Sequence, residues 1–146
     1  MKDQLDIIAH VIQLSIAPVF LLTGIGALLG VMMQRIARII DRARTIEDQL
    51  PAADEKRAHA LHDELHTLSR RLRLVNRAVS LCVLAALLVC GVIGGLFITA
   101  YYAWSPDLTR LVATVFAAAL LALIGGLLFF LREVYVATAT LRFNLK

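Results

Sequence analysis

Three uncharged stretches, residues 14–33, 79–100 and 111–131, alternate with polar segments whose apolar residues keep a helical spacing. Each stretch has about the 20 residues a helix needs to cross the roughly 30 Å hydrocarbon core of a bilayer. Three such spans place the two termini on opposite sides. Ahead of the first span, Leu5, Ile7, Ile8, Val11 and Ile12 carry the same periodicity, so the first helix is expected to begin near Asp3 or Gln4. Pro18 then falls inside it, where its ring and its missing N–H predict a bend near Leu14.

Beyond Gln34 the apolar positions are Ile36, Ile39, Ala43, Ile46 and Leu50, alternating steps of three and four as in a coiled-coil seam. Pro51 ends this arm, residues 52–54 make a turn, and Asp54 is placed to cap a new helix. The second arm repeats the pattern with Ala58, Leu61, Leu65, Leu68, Leu72, Val75 and Val79. Two matched arms with a short connection predict an antiparallel helical hairpin over residues 35–77, standing about 25 Å beyond the membrane at 1.5 Å per residue. After the second span, Tyr101, Tyr102 and Trp104 suit the outer headgroup level, and Ser105 with Pro106 restarts a helix. Residues 132–146 keep apolar positions at Val134, Tyr135, Thr138, Leu141 and Leu145, which predicts a helical tail packed beside the hairpin. The expected fold is all-α, one membrane domain over residues 1–146.

Composition agrees: 60% hydrophobic residues in a chain of 146, with mean hydropathy +0.77, exclude a soluble domain. Ten of the fifteen Lys and Arg residues lie between positions 34 and 77, so that segment and the C-terminus are assigned to the cytoplasm and the N-terminus to the outside. A cleaved signal peptide is not expected, since Asp3 and Asp6 offset Lys2 and the apolar run is too long. The net charge of +4 suits an anionic lipid surface rather than nucleic acid, for which no recognition motif is present. Cys82 and Cys90 stand eight residues apart in one span, about 12 Å along a helix and too far to bridge.

Gly26 and Gly30, and again Gly91 and Gly95, have the spacing that lets helices approach closely. At the inner membrane edge, Arg35, Arg77 and Glu133 arrive from the three spans together with Asn76 and Arg132. Glu133 is the only acid there and is expected to bridge Arg77 or Arg35, as a clamp on helix register or as part of a proton or ion relay. One face of the first helix carries Asp6, His10, Gln13, Ala17, Phe20, Gly24, Ala27, Val31, Gln34 or Arg35, Arg38 and Arg42. It is either a packing face against the other spans or, repeated around a symmetry axis, the wall of an ion path. His59, His62 and His66 share one face of the second arm, where they are weak metal-ligand candidates on a solvated surface. No Ser–His–Asp set, glycine-rich phosphate loop or paired intramembrane carboxylate is present, so neither an enzyme nor a cofactor is expected.

The runs IAPVFLLTGIGALL from Ile16, RIARIIDRAR from Arg35, RLVNRAVSLC from Arg73 and FLREVYVATATLR from Phe130 together resemble the bacterial membrane family termed domain of unknown function 2721. The resemblance implies a small bacterial integral membrane protein and supplies no site residues; the bacterial cytoplasmic membrane is the expected location. The sequence therefore points to a homo-oligomeric, three-span protein whose partners are the bilayer, its own copies and ions. Its expected role is ion permeation along the first helix. The alternative is a non-conducting scaffold that binds a cytoplasmic or respiratory partner through the hairpin.

Overall fold

A computed structural model describes the backbone of residues 2–101 and 106–143, and the side chains of residues 7–99 and 107–137. These residues form three long helices, α1 (Lys2–Gln49), α2 (Glu55–Tyr101) and α3 (Pro106–Phe143), with a 3-10 turn at Leu50–Ala52 joining the first two. Each helix is long and apolar enough to cross a membrane, with windows of mean hydropathy 2.2, 2.8 and 2.6. Only 17%, 22% and 11% of those windows are buried within the chain. The remaining apolar surface needs lipid or other protein to cover it, which makes this a multi-pass membrane protein.

α1 runs unbroken through Pro18, which is buried. Proline cannot serve the carbonyl four residues earlier, that of Leu14, and one residue on the Ser15 hydroxyl donates to the Val11 carbonyl at 2.8 Å. The turn follows the sequence closely. Pro51 lies inside the 3-10 segment, the Ala53 N–H donates to the Leu50 carbonyl, and extended backbone at Ala53 redirects the chain. The Ala58 N–H then donates to the Asp54 carbonyl at 2.8 Å, the first bond of α2, with Asp54 just ahead of it. Ser105, Tyr102, Trp104 and the side chain of Tyr101 lie outside the described residues, as do the side chains of Thr138, Leu141 and Leu145.

The contacts gather into two compact units, one of Met1–Leu28 and Leu81–Gly125, the other of Leu29–Ser80 and Gly126–Lys146. In the first unit Val11, Pro18 and Ile25 are buried at steps of seven on α1, Cys82 and Val89 on α2, with Ala85, Val92 and Thr99 beside them and Ala119 from α3. A Cβ on Gly95 would stand 2.9 Å from the Val112 side chain, and one on Gly125 would stand 3.4 Å from Leu81. Those two glycines let helices close up. Gly24, Gly26, Gly30, Gly91 and Gly94 would meet nothing within 4 Å among the described residues, so they close no helix contact there.

In the second unit Met32, Ile39 and Ile46 are buried on α1, and Leu61, Leu68 and Val75 on α2, again seven apart. The intervening seam positions Ile36, Ala43, Leu65, Leu72 and Val79 are half-buried. Two antiparallel helix segments thus share a narrow apolar seam, and α3 adds Gly126 and Glu133. Tyr135, expected on the packed face of the tail, is 69% exposed; the position that packs inward is Glu133. Ile46→Ala, which empties a fully buried site, is expected to destabilise the detergent-solubilised protein by about 2–5 kcal/mol. Ile40→Ala, on the exposed side of the same arm, should change it by less than about 1 kcal/mol, as measured by denaturant unfolding followed by circular dichroism.

Candidate functional site

In the second unit a few charged groups pair across the hairpin. Arg35 and Arg42 are seven residues apart on α1, and Glu64 and Arg71 are seven apart on α2. Because the two segments run antiparallel, a step up one helix matches a step down the other. Arg42 therefore meets Glu64, its Nε donating to Oε1 at 2.8 Å. Arg35 and Arg71 meet one level away, across the carboxylate that α3 supplies.

That carboxylate belongs to Glu133, which is fully buried. Arg35 donates from Nη1 to Oε2 at 2.9 Å, while Arg71 donates from Nε at 3.2 Å and from Nη2 at 2.9 Å to Oε1. Both oxygens are thus occupied, which is the condition under which a buried carboxylate is tolerated. The Arg35 guanidinium also stands 5.2 Å from the centre of the Phe130 ring, a cation–π distance. Of the cations expected here, Arg35 is present and Arg77 is not: Arg77 is exposed and Arg71 takes the place opposite it. The signal lay in the spacing. Arg71 follows Leu68 by three residues and precedes Val75 by four, so it faces inward, whereas Arg77 is turned about 200° from Val75.

At Arg42 the Glu64 partner, through its hydrogen bond first and its charge second, holds the guanidinium above its ordinary pKa. The pair is solvated, with side-chain exposures of 52% and 39%, and such pairs contribute about 0–1 kcal/mol. Beside it lies a groove of about 390 Å³ lined by Gln34, Arg35, Arg38, Arg42 and Arg71 together with Val31, Ile39 and Leu68. Arg38 is exposed and makes no ion pair among the described residues.

The long face of α1 is uncovered. In the first unit His10, Gln13, Ala17, Gly24 and Ala27 are exposed, and Phe20 is 72% exposed; in the second Val31, Gln34 and Arg38 are exposed as well. The side chain of Asp6 lies outside the described residues. From His10 to Arg38 these positions are exposed within the chain, while Arg35 and Arg42 beside and beyond them pair with Glu133 and Glu64. His59, His62 and His66 are all exposed, and the His62 Nδ1 is 2.9 Å from the Ala58 carbonyl. Among the described residues no group of three or more His, Cys, Asp or Glu is placed to hold a metal ion. Cys82 is buried and Cys90 exposed, and both are free thiols.

Residues 15–143 match the family model described as Protein of unknown function (DUF2721). No curated protein and no solved structure matches the chain.

Removing one partner of a buried ion pair leaves the others desolvated and unmatched. Glu133→Gln is accordingly expected to lower stability by about 3–5 kcal/mol, seen as a reduced thermal midpoint in detergent. Arg77→Gln should leave that midpoint within the range of a surface change, about 0.5 kcal/mol.

Proposed function

The chain belongs to this family of proteins of unknown function, and since the description carries no activity, we propose from the residues themselves a homo-oligomeric membrane protein that lets ions permeate along α1. The observation that carries the reading is the uncovered α1 face. His10, Gln13, Ala17, Phe20, Gly24, Ala27, Val31, Gln34 and Arg38 are all exposed, and most of them are small or polar. Lipid is a poor neighbour for them, because His and Gln lose hydrogen bonds in hydrocarbon and glycine and alanine offer tails little to pack against.

Copies arranged around an axis would turn this face inward. His10 and Gln13 would then form the polar outer end, Phe20 to Val31 an apolar constriction, and Gln34 with Arg38 the inner mouth, an order of polar rings and hydrophobic gate that channels use. Three spans enclose no such path alone, so the pore requires several copies. Following the basic residues, the N-terminus is outside and the hairpin and C-terminus are in the cytoplasm of a bacterial inner membrane. Glu133 serves as a fixed support of the inner mouth rather than a relay, because both of its oxygens are held by arginines. A second reading, a non-conducting scaffold for a cytoplasmic or respiratory partner, is supported by the exposed outer surface of the hairpin around His59, His62 and His66.

Purified protein in liposomes is expected to give an ion flux under an imposed gradient and to run as an oligomer in mild detergent. A strict monomer, or an assembled protein with no flux, removes the permeation reading in favour of the scaffold. In a background lacking Cys82 and Cys90, Gln13→Cys, Phe20→Cys, Ala27→Cys and Val31→Cys should react with a water-soluble thiol reagent in the membrane, and Leu21→Cys and Leu28→Cys should not.

A further inference from the structure

The arginine-lined groove has more positive charge than its own acids neutralise. Four arginines line it, Arg35, Arg38, Arg42 and Arg71, while the acids they meet among the described residues are Glu133 and Glu64, leaving two positive charges uncompensated there. Each guanidinium has five N–H donors. Glu133 takes one from Arg35 and two from Arg71, and Glu64 takes one from Arg42. Arg38 has all five to spare among the described residues. The groove on the other side of the hairpin differs: it is about 220 Å³ and lined by one arginine, Arg44, and one acid, Glu47, so its charges balance.

We infer that the arginine groove binds a phosphate-class oxyanion, and that the phosphate is the headgroup of an anionic phospholipid. A phosphate offers several acceptor oxygens to forked donors, the geometry that arginine matches better than lysine. The volume lies within the range of small-ligand sites, about 300–1,000 Å³. What selects a lipid over a free anion is the position along α1. Val31, at one end of the groove, lies within the uncharged stretch 14–33, whereas Arg35, Arg38 and Arg42 follow it at successive helical turns. Val31 is 48% and the neighbouring Met33 54% exposed, so apolar surface begins where the cationic lining ends. An amphipathic ligand with a phosphate next to acyl chains fits that sequence of surfaces, and basic residues at a membrane edge attract anionic headgroups.

The groove shares Val31, Gln34 and Arg38 with the α1 face, but the inference rests on the groove's own charges and holds whether or not ions permeate. Delipidated protein in neutral detergent is titrated with phosphatidylglycerol, with phosphatidylcholine and with inorganic phosphate, and bound ligand is counted by native mass spectrometry. Phosphatidylglycerol is expected to bind about tenfold more tightly than phosphatidylcholine, and Arg38→Gln to weaken it about tenfold, as loss of a charge-assisted hydrogen bond does. Arg42→Gln should weaken it in the same direction, and Arg57→Gln, on the hairpin outside the groove, should not. Thermal midpoints of the variants confirm that they fold. Equal retention of the two lipids, or phosphatidylglycerol binding unchanged in folded Arg38→Gln, overturns the site. Binding of inorganic phosphate without preference for the anionic lipid overturns the lipid as its source.

Discussion

Glu133 exposes no surface, so its carboxylate has to be met by donors from inside the protein, and the second unit is arranged to supply them. Desolvating such a group is compensated only where hydrogen bonds and opposite charge replace the lost water. Arg35 comes from α1 and Arg71 from α2, so one side chain of α3 ties three helix segments together. Apolar seams of Ile, Leu and Val are tolerant of register, since one branched side chain can take the place of another. The ionic set is not tolerant. With Arg42 and Glu64 one heptad away along the same two helices, only one antiparallel register satisfies both levels, and polar groups in a seam are the best-attested means of fixing one register.

Much of this is legible in the sequence. Helix number, the turn at Pro51 and the start of α3 at Pro106 follow from uncharged runs and from residues that stop or begin helices, all of which act locally. The seam positions of the hairpin were legible too, because a repeat of seven leaves the same side facing the partner. The ionic set was legible only in part. Glu133 could be singled out as the lone acid at the inner edge, and Arg35 as a partner, by depth along the helices alone. Choosing between Arg71 and Arg77 needed the rotation about α2, since depth favours Arg77 and rotation favours Arg71. The glycines show the same limit: Gly95 and Gly91 share one sequence pattern, and only the neighbour across the helix gap, Val112, separates the crowded one from the open one.

What the chain leaves uncovered is as informative as what it buries. Lipid-facing surfaces are normally rich in Leu, Ile, Val and Phe, and α3 fits this with Leu121, Ile124 and Leu128 exposed. α1 departs from it with His10, Gln13, Ala17, Gly24 and Ala27 in sequence along one side. In the second unit the exposed Val31, Gln34 and Arg38 line a groove with Arg35, Arg42 and Arg71. Both features set these parts of the chain apart from an ordinary lipid-facing helix surface.

The repeat of seven on both arms, closed by a three-residue turn at Leu50–Ala52, also limits how this hairpin can change over evolution. A single inserted residue in one arm would rotate everything beyond it by 100°, turning Ile46 or Leu61 outward and misaligning Arg42 with Glu64. Insertions or deletions that keep the seam must therefore come as whole heptads, and as a matched pair, one in each arm. Family members should accordingly have hairpins that differ in length by steps of about fourteen residues, with the charged levels nearest the membrane kept and the tip free to grow.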